Sequence, residues 1–122
     1  MKQYEVNRAY GAISRLAKME LPLRAAYDIY MLLRKLEPCY FFELEQEKKL
    51  LEKYNGSVNK NGYLEFDTNA DAEGFHREVD ELNKLDIDLD FDTVILSCAT
   101  MNDIRISPTD IASLEGFVCF EQ

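Results

Sequence analysis

The sequence predicts an α+β fold: an N-terminal helical hairpin with one long helix, followed by a small, mainly antiparallel sheet with two further helices. Three observations predict it. Apolar residues recur every three or four positions up to about residue 54. Turn-forming pairs, Asn55-Gly56 and Asn61-Gly62, then interrupt the chain, and the apolar runs shorten and begin to alternate. At 122 residues and 47% hydrophobic, the chain can build one core but not two. Residues 1–122 therefore read as a single domain, with a helical hairpin over 1–54 and an acidic α+β part over 55–122.

The first helix rests on Val6, Tyr10, Ile13 and Ala17, with Ala9 and Leu16 widening the stripe. Leu21-Pro22 interrupts it, because the residue before proline is pushed out of the helical region, while proline suits the start of a new helix. A second stripe runs Leu23, Tyr27, Tyr30, Leu33, Glu37, Tyr40, Leu44, Glu47, Leu51, Tyr54 in a heptad rhythm. It keeps phase across Pro38. That predicts a continuous helix from about 23 to 54, kinked at the proline, over the other outcome of two helices with Pro38 opening the second. Such a helix is roughly 48 Å long at ~1.5 Å per residue, and the first helix can cover only about half of it. The tyrosine stripe is expected to pack against other helices. An exposed aromatic surface for a protein partner, centred on Tyr27 and Tyr30, is the alternative.

Asn55-Gly56 ends the long helix. A tight turn at Asn61-Gly62 leads into a strand at Tyr63 to Phe66. Asp67, Thr68 and Asn69 are capping residues, and Phe75, Val79 and Leu82 mark one face of a third helix over 70–84. "LDIDLDFDT" then alternates apolar and acidic residues, the pattern of a half-buried strand that continues into a more fully buried "VILSCAT". Ile104 to Ile106 is a candidate short strand. Ser107-Pro108 with Asp110 opens a short helix that ends at Gly116, and "FVCF" closes the chain as a final strand.

Composition narrows the function classes. No run approaches the ~20 apolar residues of a membrane span, and the N-terminus turns polar at once, unlike a signal peptide. Three widely spaced cysteines, Cys39, Cys98 and Cys119, suggest small buried hydrophobes in a reducing cytoplasm. Calcium fits the aspartate row poorly. Counting from Asp86, Phe91 and Ser97 stand where an EF-hand needs its glycine and its bidentate glutamate. His76 is the only histidine, no cysteine pair has ligand spacing, and no glycine-rich phosphate loop occurs. The sequence thus marks no catalytic residue, metal ligand or cofactor site, and an enzyme is not expected.

Charge is the positive signal. Residues 1–54 carry ten Lys/Arg and eight Asp/Glu, whereas residues 55–122 carry four and fifteen, a balance of −11. In an extended segment Asp86, Asp88, Asp90 and Asp92 share one face at ~6.7 Å spacing, the scale of successive phosphates in a nucleic-acid strand. Glu65 and Asp67, with the acids of the third helix, widen the patch. Such a face repels nucleic acid and attracts a protein with a basic surface. A solvated sheet face that meets only water is the competing reading.

The order "AISRLAKMELPLRAAYDI", "LLRKLEPCYFFELEQEKKLLEKYNG", "NKNG", "EVDELNKLDIDLDF" and "ISPTDIASLEGFV" resembles a family of small proteins of tailed phages and prophages of Gram-positive bacteria. Pro38, "CYFF" and "VCFEQ" depart from its pattern. The resemblance brings no catalytic residues. It implies a phage protein acting in the bacterial cytoplasm: an inhibitor of a host nucleic-acid-binding defence enzyme, or alternatively a virion or tail-assembly protein that works, and self-associates, through its long helix.

Overall fold

The computed structural model describes residues 1–99 and 104–122. Its elements run α1 (Gln3–Ala17), α2 (Leu23–Lys53), β1 (Gly56–Val58), β2 (Leu64–Phe66), α3 (Asn69–Asn83), β3 (Val94–Ser97), α4 (Pro108–Ser113) and β4 (Val118–Glu121). The class is α+β, as the sequence predicts. β1 and β2 form an antiparallel hairpin, while β3 and β4 form a separate parallel pair in which Val94 faces Val118.

α1 packs along the N-terminal half of α2. Val6, Ala9, Ala12, Ile13 and Leu16 are buried, and the two alanines let the helix backbones approach closely. A fully buried Gln3 pins the start of α1, its Nε2 donating to Asn7 Oδ1 (2.8 Å) and to the carbonyl of Cys39 (3.0 Å). α2 runs unbroken through Pro38. The proline lies on the exposed side, so the carbonyl it leaves unpaired can be hydrated, and inward packing outweighs a loss of ~3 kcal/mol.

The buried stripe of α2 is not the one the tyrosines suggest. Ile29, Leu32, Leu36 and Glu43 face inward, whereas Leu23 is 87% exposed and Tyr27 and Tyr30 are each 53% exposed. Two heptad rhythms are interleaved on this helix, and the aliphatic one is buried. Tyr10 and Tyr40 do pack, as a stacked pair with ring centres 4.1 Å apart.

The C-terminal end of α2, beyond the reach of α1, is covered by the hairpin and α3. Asn55 ends the helix with φ of +56°. Thr68 caps α3 through Asp71 N–H (3.1 Å). Gly74 lies directly under the ring of Tyr54, where a Cβ would collide. Gly74→Ala should therefore destabilise the protein by about 1–3 kcal/mol despite the ~1 kcal/mol helix-propensity gain of alanine. A urea titration checks this, and a higher midpoint would refute it.

Ser107 Oγ accepts from Asp110 N–H (3.1 Å) to start α4, and Gly116 has φ of +83°. Val94, Leu96, Leu114, Phe117 and Val118 join α1 and α2 in one core, so both parts of the chain share it. β3 is half-buried and not fully so: Val94 and Leu96 point inward and Ile95 is 58% exposed. Ile104 to Ile106 form no strand. Cys39 is half-buried, but Cys98 and Cys119 are exposed, against the expectation of three buried thiols. Cys119 sits on the outer side of β4, where alternation turns every second residue to solvent, and Cys98 lies in the turn just past the end of β3.

Candidate functional site

The aspartate row is extended but is not a ladder strand. Gln3 N–H donates to the Leu85 carbonyl (2.9 Å), and Ile87 N–H donates to the Met1 carbonyl (2.7 Å), forming one bridge between Lys2 and Asp86. This bridge is the row's pairing among the described residues. Side-chain alternation nevertheless holds. Ile87, Leu89 and Phe91 pack against the core, with Phe91 stacked on Phe117 (5.0 Å, 4°), and Asp86, Asp88, Asp90 and Asp92 are exposed. The apolar partners anchor the segment, and the carboxylates line its outer side.

The four aspartates differ in their surroundings. Lys2 lies 2.8 Å from Asp86, and the hydrogen bond between them holds the Asp86 carboxyl below its ordinary pKa. Among the described residues no cation lies within ion-pair distance of Asp88, Asp90 or Asp92. The row ends at a groove of about 470 Å³ between the segment and α2, lined by Phe91, Asp92 and Ile95 on one side and Arg24, Asp28 and Lys35 on the other. This mixed-charge end is less negative than the middle of the row.

Glu65 and Asp67 lie elsewhere. Glu65 is on β2 and accepts from Asn59 Nδ2 (2.9 Å), and Asp67 follows it, at the hairpin beside the C-terminal end of α2. The aspartate row instead borders the N-terminal half of α2. α3 connects the two regions and carries its own acids, of which Glu78 is held by Lys53 (3.0 Å) and Tyr54, and Asp80 by Lys84 (2.7 Å). The Tyr54 hydroxyl, then Lys53, keeps the Glu78 carboxyl below its usual range. Asp110, on α4, is likewise lowered by a two-pronged bond from Arg15 (2.6 and 2.8 Å). Glu78 and Asp110 tie elements together and Asp80 pairs locally at the end of α3, whereas Asp88, Asp90 and Asp92 have no ion-pair partner among the described residues.

Tyr27 and Tyr30 form a second exposed surface, on the outer side of α2. Sequence reasoning missed Glu43. It is 5% exposed on the inner side of α2, and its carboxyl is pushed up to about 7, first by burial and then by Glu47. A glutamate within an otherwise aliphatic heptad stripe was the available signal. Among the described residues no group of three His, Cys, Asp or Glu side chains is placed to hold a metal, and no helix is long and apolar enough to cross a membrane. Comparison with protein-family models, curated proteins and solved structures finds no match for the chain.

Proposed function

We propose that the protein is a phage-encoded acidic binding protein that presents its aspartate row to a host nucleic-acid-binding defence enzyme, a CRISPR effector or restriction nuclease. The observation that carries this reading is the row itself: carboxylates at ~6.7 Å intervals on a segment anchored through Ile87, Leu89 and Phe91, with Asp88, Asp90 and Asp92 free of ion pairs among the described residues. Anchoring limits the conformational entropy lost on binding. Such a row fits a groove that otherwise binds phosphates, and it has no affinity for nucleic acid itself.

The test is inhibition of nucleic-acid binding by purified enzymes of these classes, at low and high salt. Replacing Asp86, Asp88, Asp90 and Asp92 together by Lys should abolish inhibition. Because Asp86 also bonds Lys2, the triple replacement D88K/D90K/D92K separates binding from folding and should weaken inhibition at least about tenfold. Screening over a Debye length of ~10 Å at 0.1 M salt should weaken the wild-type complex as well. Full inhibition by the triple variant sinks the proposal.

The exposure of Tyr27 and Tyr30 favours a second reading, a virion or tail-assembly protein that acts through α2. Replacing both tyrosines by Lys would then remove the protein from purified particles while leaving nuclease inhibition unaffected.

A further inference from the structure

The uncovered side of α2 carries its own heptad seam. Tyr27, Tyr30, Arg34, Glu37, Phe41 and Leu44 follow steps of three and four, turned away from buried Ile29, Leu32 and Leu36. Tyr27, Tyr30 and Phe41 are each 53% exposed and Leu44 is 43% exposed. The apolar residues therefore lie at both ends of the seam, with one cation and one anion at its middle.

This order is complementary to its own reverse. If a second copy lies antiparallel, with Arg34 of each chain opposite Glu37 of the other, Tyr30 meets Phe41 and Tyr27 meets Leu44 on both sides of the centre. The flanking Arg24 then falls opposite Glu45 of the second copy. A parallel arrangement would set Arg34 against Arg34 and Glu37 against Glu37. Sliding the antiparallel pair by one heptad either way would set both charges against Leu, Phe or Tyr. Charge thus selects one orientation and one register.

Within one chain Arg34 reaches Glu37 at 3.6 Å, and its side chain remains 60% exposed. A guanidinium has five donors, so it can hold a second carboxylate. Each half-exposed aromatic offers on the order of 100 Å². With Leu23, 87% exposed at the end of the seam, the apolar anchors of two copies reach on the order of 1,000 Å², where specific interfaces begin. We infer that the protein forms an antiparallel homodimer through the Tyr27–Leu44 side of α2. This interface meets the aspartate row only at Arg24, which lines the groove beside Asp92, and it shares Tyr27 and Tyr30 with the second reading above but rests on the charge order of the seam.

Sedimentation over a dilution series should show a reversible monomer–dimer equilibrium. R34E makes the centre of the seam wholly acidic and E37R makes it wholly basic, so each should weaken self-association at least about tenfold with helix content unchanged. Mixing the two variants should restore a dimer, now mixed, because both central pairs become opposite in charge. In a background with the native cysteines replaced by serine, Y30C should form a disulfide with F41C and not with itself. A wild-type chain that stays monomeric at every soluble concentration, a dimer indifferent to R34E, a mixture that remains monomeric, or self-linking of Y30C would overturn the inference.

Discussion

Leu36→Ala should destabilise the protein by about 2–5 kcal/mol, the range for emptying a fully buried leucine site. Leu36 is 0% exposed at the middle of α2, in the same cluster as Ile13, Ile29 and Leu96. Truncation leaves a void in the core that α1, α2 and the parallel strand pair share. The helices flanking the site are long and stiff, so the cavity can collapse only partly. Against a total stability of ~5–15 kcal/mol for a domain of this kind, that is a large fraction. Tyr30→Ala, six residues earlier on the same helix, should change stability by less than about 1 kcal/mol, because the ring is half-exposed. Urea unfolding of both variants, at dilutions where the chain is monomeric, decides which heptad stripe is the core. Equal losses, or the reverse order, would refute the assignment.

Glu43→Gln should stabilise the protein by about 1–2 kcal/mol at pH 8 and have little effect at pH 4. The Glu43 carboxyl is raised from 4.5 to about 7, chiefly because burial disfavours its charge and secondarily because Glu47 is close. A raised carboxyl stays protonated in the folded chain after the unfolded chain has ionised. Its full stabilising contribution is present below pH 4.5 and is lost as pH rises to about 7. Above that, the folded state holds a buried charge beside another carboxylate. Gln cannot ionise, so the gain appears across that window. The magnitude follows from roughly 1.4 kcal/mol per pKa unit, discounted for the water that still screens the Glu43–Glu47 pair. Unfolding free energies at pH 4, 6 and 8 provide the check; a gain that does not vary with pH would indicate a packing effect instead.

The core assignment of α2 shows how far periodicity reaches. Both the tyrosine stripe and the aliphatic stripe satisfy heptad spacing, and the aromatic one looks heavier because rings contribute more apolar area. Nothing local to α2 chooses between them. The choice comes from α1, whose Ala9 and Ala12 admit a close neighbour against Ile29, Leu32 and Leu36. The aspartate row is a similar case. Alternation is a property of any extended backbone and could be read from residues 85–93, whereas pairing depends on a distant segment, here the bridge between Lys2 and Asp86.

Signals that act within a few residues were determined by the sequence alone. They include the helix start at Ser107-Pro108, the Thr68 cap, the αL stop at Asn55 and the excess of acids after residue 54. The short strand β1 escaped notice because three residues carry too little pattern. Tertiary structure alone decided which side of α2 is buried, that β3 and β4 run parallel, that Glu65 and Asp67 lie at the hairpin away from the aspartate row, and that Glu43 is enclosed. Each depends on contacts between segments far apart in the chain, where a residue's surroundings are set by what packs on it and not by its neighbours in sequence.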